Sequence, residues 1–174
     1  MAALAATAFA ALTALGARLQ FHLPFTPVPV TGQVFCVLLA GAALGPRLGC
    51  FSMLEYLAAG AAGLPVFAYG GGPAALLGPT GGYLAGFPLA ALAVGAAAGR
   101  RGGGRALAAC LLGVAVIYAF GAGWYAVWCA AVGKAVGIAP LLLQSVYPFL
   151  LIDVAKAGLA ATVAPGIRGR MRLS

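Results

Sequence analysis

Apolar residues fill this chain in long blocks rich in Ala and Leu, and the blocks do not alternate with polar positions. Alternation would mark barrel strands, whereas unbroken runs of this length mark helices. The breaks are as legible as the runs. "LPFTPVPVTG" at 23–32 carries three prolines, which fix φ and remove donors, so it reads as an extended loop. "GPR" at 45–47 makes a turn, "GLPVFAYGGGPAALLGPTGG" at 63–82 a long loop, "GRRGGGR" at 99–105 another break, and "IRGRMRLS" a tail. Between them the pattern predicts six helices, over 2–19, 33–44, 48–62, 83–98, 106–132 and 140–164. A helix of about 20 residues crosses about 30 Å of hydrocarbon. The two shortest spans suit little tilt, or a thin part of the bundle beside the long loops.

Composition says what surrounds these helices. The 174 residues are 64 % hydrophobic and 7 % charged, against about 45–50 % and about 25 % in a water-soluble domain. So few polar groups cannot cover a soluble surface, and lipid is the solvent for most of it. Backbone groups in lipid must be satisfied within a helix or a closed barrel. The 27 glycines and abundant alanines suit closely packed transmembrane helices. The first apolar segment lacks the basic start of a signal peptide and is followed by others, so it reads as a retained helix. A net charge of +8 raises nucleic acid as a partner, but the basic residues form no amphipathic or aromatic-interleaved surface. They cluster at segment ends instead. With six spans, Arg47, Arg100, Arg101, Arg105, Arg168, Arg170 and Arg172 share one side, Arg18 and Lys134 the other, and Lys156 falls within a span. The excess places both termini in the cytoplasm. The expected fold is an all-α integral membrane protein of the cell (inner) membrane, one six-helix domain over 1–174. Its two Pro/Gly loops lie outside, where a substrate entrance with a lid would need them.

Within so few charges, two stand one turn apart in an apolar span. Asp153 and Lys156, in "PFLLIDVAKAGLA", are at i and i+3 on one helix face. Each charge at the bilayer centre costs about 2.5–3.5 kcal/mol on insertion scales. An internal ion pair that only fixes packing is one reading. A polar ligand site is the other: Asp153 accepts from ligand N–H groups and Lys156 donates to a carbonyl or carboxylate. Glu55, the remaining acid, lies in the third span and either lines the same cavity, pairs with a cation or sits near the interface. Ala2, Ala6, Ala10 and Ala14 form a small-residue ladder on the first helix, which suits close approach of another helix or packing within the bundle. Phe67, Tyr69 and Tyr83 border the outer loop, while Tyr118, Trp124, Tyr125 and Trp128 follow the fifth span; interface belt and apolar wall are both open to them. Cys36, Cys50, Cys110 and Cys129 form no CxxC pair, and His22 stands alone, so no metal or redox site is expected. "GGGP" and "GPTGG" follow no strand and precede no Gly-Lys-Ser/Thr, which excludes a phosphate-binding loop. No nucleophile–base pair or cofactor fingerprint is present, so neither an enzyme nor a cofactor is expected.

"PFTPVPVTGQ", "LAGAALGPRLG", "GAAGLPVFAYGGGPAALLGPTGGYLAGFPLAA" and "PFLLIDVAKAGLA", in this order, resemble the BioY family of biotin-specific membrane subunits. These are the substrate-capturing S components of energy-coupling factor (ECF) transporters. The resemblance covers nearly the whole chain. It implies a six-helix bundle that binds biotin at its outer face and associates with a transmembrane coupling protein and two cytosolic ATPases. It assigns the alanine ladder to the coupling protein, matches the family's polar pair to Asp153 and Lys156, and matches its loop glutamine to Gln33. Ala68 or Tyr69 stands where some members have Asn, Tyr83 where some have a basic residue, and "LLID" where "PGD" is frequent. Biotin offers two ureido N–H groups, a carbonyl, an apolar thioether ring and a carboxylate. Asp153 suits the N–H groups, Lys156 the carbonyl or carboxylate, Gln33 either role, and Phe67, Tyr69, Tyr83 and Trp124 the apolar walls. An intramembrane enzyme using Asp153, and a purely structural membrane subunit, are the alternatives.

Overall fold

A computed structural model describes residues 2–99 and 104–171. Its elements are α1 Ala2–Arg18, β1 Gln20–Phe21, β2 Val30–Thr31, α2 Gln33–Leu44, α3 Pro46–Ala61, α4 Pro73–Leu77, α5 Gly81–Ala98, α6 Gly104–Ala131, α7 Ile138–Ser145 and α8 Tyr147–Met171. The protein is thus a helical membrane protein. Among the described residues, three helices are long and apolar enough to cross a bilayer: α5, α6 and Tyr147–Arg170 of α8; α1 and α2 are apolar but shorter. Large apolar side chains also face outward, among them Leu112, Phe120 and Val127 on α6 and Leu151 and Leu159 on α8. In water such a surface would be unfavourable; in lipid it is the expected one.

The short α2 is the centre of the bundle. It packs against α1, α3, α5 and α8, and residues 36–44 are all buried. A helix enclosed by others is apolar all round and carries no stripe. The expected turn at 45–47 contracts to Gly45, whose φ of 85° suits glycine. Pro46 then takes the first position of α3, where its missing N–H costs nothing.

The expected sixth span is corrected in the same way. It is not one helix over 140–164 but two, α7 and α8, separated at Val146 (φ −132°, ψ −60°). Pro148 is the cause. Its ring clashes with the carbonyl four residues back and it has no N–H to donate there. The carbonyl of Gln144 therefore loses its helical donor, Ser145 O loses Phe149 N–H to Val146 O, and both carbonyls find other donors. Thr26 of the Pro-rich loop donates to Gln144 O at 2.6 Å, and the Tyr83 hydroxyl donates to Ser145 O at 2.5 Å. A backbone break within the apolar zone is thus satisfied from two other elements, as burial requires.

The ends of the bundle differ. At one, β1 and β2 pair antiparallel as a small hairpin, Gln20 Nε2 donates to Ala68 O at 3.2 Å, and Arg18 donates to Pro65 O. At the other, Arg105 Nε donates to Ala97 O at 2.9 Å, and Arg168 donates to the carbonyls of Ala42 and Gly99. Arg100, Arg101 and Arg172, counted in the charge asymmetry, lie outside the described residues.

Candidate ligand site

At the hairpin end the helices surround a cavity that is partly open to the outside. The hairpin contributes Val28 and Thr31, α2 contributes Gln33, the loop after α3 contributes Phe67 and Tyr69, and α5 contributes Tyr83 and Phe87. Ile117 and Tyr118 of α6 and Phe149, Asp153 and Lys156 of α8 complete the wall. All six expected ligand residues, Gln33, Phe67, Tyr69, Tyr83, Asp153 and Lys156, therefore face one space.

Its polar end is the charge pair. Lys156 Nζ lies 2.7 Å from Asp153 Oδ1 and donates also to Thr31 O at 2.7 Å. Tyr118 donates to Asp153 Oδ2 at 2.8 Å. Asp153 is 3 % exposed, and a carboxylate so buried needs both a cation and hydrogen bonds. It has them, with one donor on each oxygen. Each oxygen keeps capacity for a further donor from the cavity, and Lys156 keeps one N–H. The contact to Thr31 also ties the hairpin to α8.

The remaining site residues are held by neighbours. Gln33 Nε2 donates to the Tyr56 hydroxyl at 2.5 Å, which donates on to Val66 O at 3.0 Å. Phe67 is buried edge-on to Tyr56, ring centroids 5.3 Å apart. Its ring occupies the space beside Gly60, where a Cβ would stand 2.0 Å from it. Tyr69 donates to Pro27 O at 2.5 Å and so joins the two outer loops. Ala68 lines the cavity beside it.

Other expectations are placed elsewhere. Trp124 is no wall: its Nε1 donates to Gly78 O at 2.8 Å, which anchors the loop before α5. Glu55 does not line the cavity; it accepts from the Thr7 hydroxyl at 3.2 Å, between α1 and α3. The alanine ladder is turned inward at its middle. Ala6 is 0 % and Ala10 9 % exposed, and Ser52 of α3 donates to Ala6 O at 2.8 Å. Ala2 is exposed and Ala14 half-buried. The face of α1 left open carries Ala3, Thr7 and Ala11, one position on. The reading from sequence also missed Tyr118 and Thr31 as partners of the pair. Thr31 had a signal, since it lies two residues before Gln33 in the same loop motif; Tyr118, 35 residues from Asp153, had none.

Known proteins show the family to which the chain belongs. A family model, the BioY family, matches residues 1–173. A probable biotin transporter BioY of Pyrococcus horikoshii is 43 % identical over 162 residues, 92 % of each chain. The biotin transporter BioY of Thermotoga maritima is 37 % identical over 90 % of this chain and 89 % of its own. A crystal structure of the S-component for biotin from an ECF-type ABC transporter superimposes with a TM-score of 0.83 at 26 % identity, covering 97 % of this chain and 90 % of that one. With a family match over nearly every residue, full-length relatives and a common bundle, the chain belongs to the BioY family.

Proposed function

We propose that this chain captures biotin from outside the cell membrane as the S component of an ECF-type transporter. The observation that carries the reading is the pair of buried Asp153 and half-buried Lys156, 2.7 Å apart, facing a cavity at the hairpin end of the bundle. A ureido ring needs an acceptor and a donor side by side, and the pair supplies both. Phe67, Tyr83, Phe87 and Ile117 give the thioether ring an apolar surround. The names of the relatives support the substrate and a role in transport, not in catalysis. Titration of the detergent-purified chain with biotin, followed by calorimetry, tests the reading; no heat of binding at any concentration would remove it.

The proposed topology is one domain crossing the membrane six times, with α1, α2, α3, α5, α6 and α8 as the spans and both termini cytoplasmic. The basic residues support it, since Arg47, Arg105, Arg168 and Arg170 gather away from the cavity end. On a cysteine-free background, Lys134→Cys is expected to react with an impermeant thiol probe from outside, and Arg47→Cys to be protected. The opposite pattern would invert the topology and remove the entrance from the outer face.

The proposed partners are a transmembrane coupling protein and two cytosolic ATPases. The coupling protein is placed on the open face of α1, along Ala3, Thr7 and Ala11, with Ala2 and Ala14 at its edges. Small residues there admit a close helix. Ala11→Trp is expected to abolish co-purification of the coupling protein with biotin affinity unchanged. Ala6→Trp, directed into α3, is expected to impair folding itself. Intact assembly of the Ala11→Trp variant would move the partner to another face.

A further inference from the structure

We infer that the site reads the ring of its ligand and leaves the acid tail unread, so that biotin amides and esters bind about as well as biotin. The inference rests on the biotin reading above and concerns what Lys156 touches. Among the described residues, the cavity lining holds one cation and one anion, and they are already paired at 2.7 Å. The local charge is zero.

Two ligand groups compete for the remaining N–H of Lys156. A cyclic urea carries its carbonyl next to an N–H on one edge. The pair carries an ammonium N–H next to a carboxylate oxygen, so donor meets acceptor twice and the ion pair stays closed. No net charge enters the cavity. The tail carboxylate on Lys156 would instead set two carboxylates against one ammonium beside the buried Asp153, in a mostly apolar lining. A buried anion without its own cation is strongly disfavoured.

The other side-chain donors of the lining are neutral, and those left free are one N–H of Gln33 and the hydroxyls of Thr31 and Thr80. Gln33 Nε2 donates to Tyr56, the Tyr69 hydroxyl to Pro27 O, and the Tyr83 hydroxyl to Ser145 O. Arg18 donates to Pro65 O and does not line the cavity. A carboxylate inside would find these neutral donors but no second cation among the described residues of the lining to balance its charge. The tail therefore points to the open side of the cavity, between the two outer loops, where solvent carries its charge. The ligand class is then the fused ureido–thioether ring with a tail of either charge state, including biotin joined by an amide to an amine.

The test compares biotin with biotinamide, which differs only in replacing the carboxylate by a neutral amide, by calorimetry on the full purified chain. The dissociation constants are expected to agree within about threefold. Biotin that binds while biotinamide is weaker by about tenfold or more overturns the inference and spares the biotin site. Failure of both to bind overturns both readings. A second arm uses Lys156→Met. If the lysine holds the ring carbonyl, both ligands lose the same factor. If it holds the tail, only biotin loses and the two ligands become equal in the variant, which overturns the inference. Should that variant not fold, the comparison on the unaltered chain decides alone.

Discussion

Asp153→Asn is expected to weaken biotin binding by about one to two orders of magnitude while the fold survives. The geometry gives both halves of that expectation. Asp153 now accepts from Lys156 on Oδ1 and from Tyr118 on Oδ2. An Asn side chain keeps one oxygen for Lys156 and turns its amide toward Tyr118, whose hydroxyl can rotate and accept. The shape is kept. The ligand's N–H, however, loses a charged acceptor and meets an added donor. A hydrogen bond to a charged group is worth about 1.5–3 kcal/mol, and each 1.4 kcal/mol or so is tenfold in affinity. Lys156 also loses its counter-ion, which adds to the cost. Lys156→Met is expected to weaken binding similarly by leaving Asp153 without its cation. The double variant separates a site from a packing device. If the pair only fixes packing, Asp153→Asn with Lys156→Met restores folding and near-native affinity. If the pair is the polar end of the site, the double variant melts normally and does not bind. Calorimetry on the three variants with a thermal melt decides, and tight binding by the double variant would falsify the site.

The pair was legible in the sequence because its cost is legible: a carboxylate and an ammonium inside an apolar span need a reason to be there. The helices were legible from their punctuation by Pro, Gly and Arg. What escaped has a common origin. A chain apolar on every face gives no moment by which to tell a core-facing stripe from a lipid-facing one. Hence the spacing of Ala2, Ala6, Ala10 and Ala14 was visible, while the inward direction of Ala6 was not. The α7–α8 break had its signal in Pro148, but the apolar run continues through it and hides the boundary. Tyr118 is a contact between helices far apart in the chain, set by the rotation of α6 against α8, and no local spacing encodes it. Phe67, Tyr69 and Tyr83 were identified through the resemblance to a family more than through the residues' own pattern.

The glycines of "GPTGG" carry the largest expected effect on stability. Gly82→Ala is expected to cost about 1–3 kcal/mol, as overpacking does, and Gly82→Val more. A Cβ at 82 would stand 2.2 Å from Trp124 Cβ and 2.4 Å from Phe120 O. Neither atom can yield cheaply. The first is fixed to the backbone of α6, with its indole anchored on Gly78 O, and the second belongs to the α6 backbone itself. To admit the methyl, α5 has to back away from α6. The next residue on α5 is Tyr83, which lines the cavity and holds Ser145 O at the α7–α8 break. Displacing it frees a buried carbonyl and opens the wall of the site, so biotin affinity is expected to fall together with the melting temperature. Gly123→Ala is the control. It lies on α6 near the same crossing, but its Cβ would meet nothing within 4 Å. There alanine is expected to be silent or to stabilise by up to about 1 kcal/mol through helix propensity. Thermal melts of both variants in detergent, with biotin titrations on the folded fraction, measure the contrast. Equal melting of Gly82→Ala and Gly123→Ala would mean that α5 and α6 do not approach as closely as these distances require, and that the glycines of the motif serve something other than this crossing.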